Sequence, residues 1–269
     1  MGDGTIRVAW LAGGHPFDRP SLTDMIASLR DVQCELIEWP DAGRLFTPAG
    51  VDRLLSHYDV LVLYDMPGIR FRRGEAPTFD DPPSDVIEAW KRLTTEGMPV
   101  LSMHHSIASW PTWEGFAEIV KGRFHYVPGR LRGTQHPDSG YAMNVRQQFT
   151  VSDKSHPVCA GLPETFELTD ETYQCPVFED EVDVLITTDA PRDDSFHLSA
   201  LAAVRREANP EWRHAPTSAA VAWTHVIDRS TVVYLQPGDG PEAFENATYR
   251  KLIENGVHWL ATTKGRQPL

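Results

Sequence analysis

The chain has 269 residues, 38 acidic against 25 basic, a formal net charge of −13 and 41% hydrophobic residues. That length supports one large core or a core with a substantial insertion, and no stretch reaches the roughly 20 consecutive apolar residues that span a bilayer. An acidic surface repels phosphate backbones and anionic lipid heads, so neither nucleic acid nor membrane is expected as a partner. The first residues lack the basic start and apolar run of a secretory signal, and Cys34, Cys159 and Cys175 form no CxxC pair, which fits a reducing cytoplasm and argues against a disulfide framework or a thiolate zinc site.

In chain order, Ile6 to Leu11 is a short apolar run that ends at Gly13-Gly14-His15, as a buried strand would. Ser21, with Asp24 three residues on, predicts the cap of a helix bearing Leu22, Met25, Ile26 and Leu29. Cys34 to Trp39 reads as a second strand, Thr47-Pro48 opens a helix, and Asp59 to Asp65 is a third strand, apolar through its middle as expected when helices cover both faces of a parallel sheet. Ser84 is expected to cap a helix that Gly97 closes, before a fourth strand from Pro99 to His104. In the second half Val145–Val151, Val182–Thr188, Ala219–Ile227 and Thr231–Leu235 are strand-like, and a closing helix runs from Pro241 through Leu260. The expected fold is therefore α/β, a doubly wound, mostly parallel sheet flanked by helices with extra strands in the second half, in a single domain over 1–269.

Ligands of an open parallel sheet bind beyond the carboxyl ends of the strands, a rule that selects His15, Asp65 and His104. The run Val100-Leu-Ser-Met-His104-His105-Ser-Ile-Ala-Ser109-Trp110 reads as strand, sharp turn and helix, the geometry of a nucleophile elbow. Neutral imidazoles at His15, His104 and His105 can ligate a borderline metal or move protons near neutral pH. There is no P-loop, no Gly-x-Ser-x-Gly elbow and no complete dinucleotide fingerprint. Arg70, Arg72 and Arg73 follow the third strand, either as an anion-binding cluster or as a solvated loop.

Several pieces recur in order along the chain: Gly13-Gly-His15-Pro-Phe, Leu63-Tyr-Asp65, Ser109-Trp110-Pro-Thr-Trp113, Val120-Lys-Gly-Arg-Phe124-His125, His156-Pro157, Thr169-Asp-Glu171-Thr-Tyr173 and Gly240-Pro-Glu-Ala-Phe244. In these the sequence resembles the ThuA-like family of trehalose and related sugar utilisation, on a class I glutamine-amidotransferase-like fold, with His104 standing where amidotransferase relatives carry the catalytic Cys. The family often has a second His where this chain has Asp18, and Gly-His where it has Gly238-Asp239. The resemblance implies a carbohydrate as small-molecule partner and either of two roles. One is an enzyme acting on trehalose-like glycosides or keto-sugars, with His104, Glu171 and Asp65 in the chemistry and His15, His105, Trp110, Tyr173, Phe124 and His125 around the substrate. The other is a non-catalytic sugar-binding or accessory protein that keeps the pocket without the Cys nucleophile. No organic cofactor is implied; a divalent metal such as zinc is the one candidate, with His15 and His104 as ligands. A homo-oligomer is expected.

Overall fold

A computed structural model describes residues 4–265. Ten strands form one sheet: β1 Ile6–Gly13, β2 Val32–Glu38, β3 Val60–Asp65, β4 Val100–Met103, β5 Gly140–Val151, β6 Thr165–Gln174, β7 Asp183–Thr188, β8 Leu198–Ser199, β9 Ala220–Ile227 and β10 Ser230–Leu235. Their order is β6-β5-β7-β9-β10-β4-β3-β1-β2, with β8 paired to β5. From β2 to β10 every neighbour is parallel. From β10 to β6 every neighbour is antiparallel. The fold is thus mixed α/β, parallel through the half in which each strand is followed by a helix, because only a crossover returns the chain to the same end of the sheet.

Strand residues alternate between two cores, one on each face of the sheet. Ala9, Leu11, Leu61 and Leu63 pack with Val51 and Leu54 of α2 (Pro48–His57), Trp90 and Leu93 of α3 (Ser84–Glu96) and Phe116 of α4 (Glu114–Val120). Val8, Trp10, Val60, Val62 and Tyr64 pack on the other face with Leu22 and Met25 of α1 (Arg19–Ala27) and with Tyr249, Leu252, Ile253 and Val257 of α6 (Ala247–Ala261). The continuous apolar character of β3, with no exposed position, follows from this two-sided burial.

Several expectations about helix ends are corrected. The cap of α1 is Asp18, whose Oδ1 accepts from Ser21 N at 2.8 Å, so Ser21 is the capped residue. Ser84 begins α3 behind Pro83 and caps nothing, whereas Thr47 and the left-handed Gly97 (φ 81°) act as expected. The closing helix is broken in two: α5 (Pro241–Glu245) ends at Asn246, whose side chain caps α6. An Asn that bonds two backbone N–H groups makes a better helix start than a helix interior. Across from them Thr165–Gln174, too polar and acidic to read as a strand, pairs along β5 for its full length.

Candidate functional site

The site lies beyond the carboxyl ends of β1, β3, β4 and β10. β1 ends in Gly13-Gly14, and Gly14 has φ +86°; a Cβ there would stand 2.4 Å from the Met66 carbonyl oxygen. Only glycine lets the chain turn this close to the end of β3, and the turn delivers His15. β4 ends in Met103, and His104 takes φ +49°, a left-handed conformation in a non-glycine residue. The segment after it is not the α-helix of an elbow but a single 3-10 turn, His104–Ala108, with α4 starting only at Glu114. The turn swings His104 inward, fully buried, and sets its ring edge-on to His105 with centroids 3.9 Å apart. His105 stacks in turn on His15 at 4.1 Å.

The carboxylates arrive from the antiparallel half. In the β5–β6 ribbon Met143 and Asn144 oppose the single residue Glu171, a bulge with Asn144 at φ +53°. Residues 149–151 of β5 still pair with β7, but those beyond the bulge do not, so the ribbon bends over the ends of the parallel strands. This brings Glu171 Oε2 to 3.7 Å from His104 Nε2, and Asp239 Oδ1, from the loop after β10, to 3.6 Å. Asp170 holds that loop: its carboxylate accepts from the backbone N–H of Gly238 (2.6 Å), Asp239 (3.1 Å) and Glu171 (2.8 Å). Tyr64 donates to the Gly238 carbonyl, and Tyr234 to that of His104. Gly238, at φ +138°, lies against Tyr249 and His104, and a Cβ would stand 3.4 Å from the His104 Cβ.

Ring positions set the protonation pattern. Burial, with His104 nearby, pulls His15 down to about 4. His105 falls well below the ordinary histidine range for the same two reasons, with His15 adding to them. Burial also pulls on His104, but Asp239, Asp170 and Glu171 outweigh it and raise that ring. Burial lifts Glu171 to about 7 against the pull of His104. Asp239 is lowered, chiefly by His104. Two carboxylates on one imidazole are thus driven apart, one holding its proton near neutrality and one ionised, the pattern by which acid and base roles are divided.

Above this centre is a cavity of about 350 Å³ whose wall includes His15, His105 and Glu171 among the aromatic rings of Phe71, Phe124, Tyr126, Tyr141 and Tyr173. Of the expected site residues, the fold therefore gathers His15, His105, Glu171, Phe124 and Tyr173 around one cavity. His104 lies behind it, buried. Three expected members are elsewhere. Trp110 sits in a turn (φ +47°) packed against Gly68 and Trp39, so its spacing from Trp113 is not helical. His125 stacks on His136 at 5.8 Å, apart from the cavity wall. Asp65 is buried, its Oδ2 accepting from Trp39 Nε1 at 2.5 Å. Asp239 and Asp170 were not picked out as functional in the sequence; Asp239 follows the end of a strand by four residues, and the rule that selected His15 and His104 would also have found it. Asp18, at the family's second His position, is an exposed helix cap.

Burial raises Asp65 to about 6, so ionisation opposes folding, and the loss of stability accumulates as pH climbs from about 4 to 6 and persists above. Asp65→Asn keeps an acceptor for Trp39 and removes the buried charge. Thermal melts are expected to show a gain for the variant, at most about 3 kcal/mol, larger at pH 8 than at pH 5. A loss at both pH values would mean the carboxylate is needed as such.

As for metal, the described residues bring together one group with metal-ligand spacing: His104, His105, Glu171 and Asp239, with a ligand atom of each within 4.8 Å of the others. His15, expected as a ligand, is not in this group, because its ring stacks on the far side of His105. Among the described residues no helix is long and apolar enough to cross a membrane.

Solved structures share the fold, two of them as follows. A ThuA-like protein from Parabacteroides merdae ATCC 43184 superposes with a TM-score of 0.65 at 16% identity, covering 98% of this chain and 93% of that one. A cytoplasmic protein from Salmonella typhimurium superposes with a TM-score of 0.59 at 12% identity, covering 94% and 98%. No curated protein matches the chain. A family model described as ThuA, trehalose utilisation, matches residues 46–260, and the chain belongs to that family.

Proposed function

We propose that the protein is an enzyme of sugar utilisation that acts on a trehalose-like glycoside or a keto-sugar by acid-base chemistry, with Glu171 as the group that meets the substrate and His104 as its buried partner. The observation that carries this reading is the placement of Glu171: it lines the aromatic cavity and stands 3.7 Å from His104 Nε2. Flat rings suit the C–H faces of a pyranose, and a carboxyl poised near neutrality suits transfer of a proton to a leaving oxygen or from a carbon beside a carbonyl. Enolisation of a keto-sugar needs only such a pair. The kinship to amidotransferases read from the elbow belongs to the same proposal, with an imidazole at the position of the thiol and no Cys at the site. Asp65 and His125 have no part in it.

The test is proton NMR in D2O of the purified protein with trehalose, other glycosides and their keto derivatives. Expected is either cleavage of the glycosidic bond or uptake of deuterium next to the carbonyl. Saturation transfer to a sugar without either change would favour an accessory binding protein, and the absence of both transfer and turnover would overturn the sugar reading.

A further inference from the structure

We propose that His104, His105, Glu171 and Asp239 form a divalent metal site of the borderline, zinc-like class at the floor of the cavity, with His15 and Asp170 outside the ligand set. The inference goes beyond the sugar reading, since it rests on the donor atoms and not on any reaction.

The first argument is the orientation of His104. Its Nδ1 donates to the Gln236 carbonyl at 2.8 Å, which leaves Nε2 as the nitrogen facing Glu171 and Asp239. A ring that gives its other N–H to a backbone carbonyl is the usual arrangement of a metal-ligating histidine. The Tyr173 hydroxyl does not serve Nε2 instead: it is 3.0 Å from both ring nitrogens, and a point equidistant from the two lies off both lone-pair directions. Facing two carboxyl groups, Nε2 carries either a proton, as the raised ring does without metal, or a metal ion.

A proton on Nε2 would satisfy one nitrogen and one oxygen, but four donors converge here. His105 contributes a second imidazole, and its Nδ1 is buried without a hydrogen-bond partner. Ligand atoms bound about 2.1 Å from a tetrahedral ion lie roughly 3.4 Å apart; the two measured edges, 3.6 and 3.7 Å, are close to that. Two imidazoles with two carboxylates select a first-row divalent ion over calcium or magnesium, which prefer all-oxygen shells. Asp170 then acts as a positioning residue, since its three backbone hydrogen bonds fix Glu171 and the Asp239 loop.

The test is elemental analysis of full-length protein purified without chelator or affinity metal, followed by stripping and titration with Co2+ read by visible absorption. Expected is near one metal per chain and a saturable band of a low-coordinate site. His105→Ala and Asp239→Asn are expected to weaken Co2+ binding at least about tenfold, and His15→Ala to leave it within about twofold. Circular dichroism melts establish that each variant folds; if one does not, the titration of the parent decides. Metal-free protein with no saturable Co2+ band would overturn the site, as would unchanged binding in folded His105→Ala and Asp239→Asn. Loss of binding in a folded His15→Ala would overturn the ligand assignment.

Discussion

Glu171→Gln is expected to slow sugar turnover by about 100-fold to 10,000-fold, the range that one positioned acid or base contributes, while the protein stays folded. Burial holds Glu171 at about 7, well above its ordinary value of 4.5. Ionisation therefore opposes folding, and without bound metal the parent loses stability as pH rises from about 4.5 to 7. The Gln variant carries no such penalty and is expected to be more stable above pH 7, by at most about 3 kcal/mol. A fall in activity beside a rise in melting temperature separates a chemical role from misfolding. The pH profile of the metal-free parent identifies the role: if Glu171 removes a proton from carbon, kcat/KM rises with pH through a midpoint near 7, and if it protonates a leaving oxygen, kcat/KM falls through the same midpoint. Unchanged turnover in the variant, measured by the NMR assay, would remove Glu171 from the mechanism.

Asp170→Asn is expected to be the most damaging conservative change in the site. The carboxylate offers two oxygens to three backbone N–H groups, Oδ2 to Gly238 and Oδ1 to Glu171 and Asp239. An amide can place one oxygen, and its NH2 would face at least one N–H head-on. A buried N–H left without an acceptor costs about 1–3 kcal/mol, so unfolding in urea is expected to show a loss of at least about 2 kcal/mol. Because the lost bonds hold the Asp239 loop, proton exchange at the Gly238 and Asp239 amides should also accelerate more than exchange in β3. Removal of the buried charge works in the opposite direction, since burial raises Asp170 above the ordinary carboxylate range. A net gain in stability would show that charge burial, and not the three acceptor bonds, dominates at this position.

Much of the parallel half was legible in the sequence because its signals are local. Apolar runs ended by glycine mark β1 and β3, and the rule that ligands gather at strand ends led to His15 and His104. The carboxylate side was not legible from pattern, because Glu171 is aimed by a bulge in a polar ribbon whose register no periodicity announces. Glu171 and Tyr173 were reached through the family resemblance alone. Trp110 and His125 lie away from the cavity lining for a related reason: adjacency in a motif does not say which way a turn sends a side chain, and Trp110 leaves its turn at positive φ toward Trp39. Asp65 stood at the right strand end but faces the Trp39 indole instead of the cavity.

The bent ribbon that carries Glu171 also bears on the order in which the centre comes into being. His15 and His104 leave the ribosome early, on strands that can pair among themselves, but β10, which lies between β4 and the antiparallel strands, is made only after residue 229. Until then Asp239 does not exist and Asp170 has no loop to hold. Since chains fold as they emerge and distant contacts close last, the nascent polypeptide carries its imidazoles through most of its synthesis without the Asp239 loop that faces them. The candidate centre thus comes together only on completion of the sheet, and a molecule that displays it has all of its strands in place.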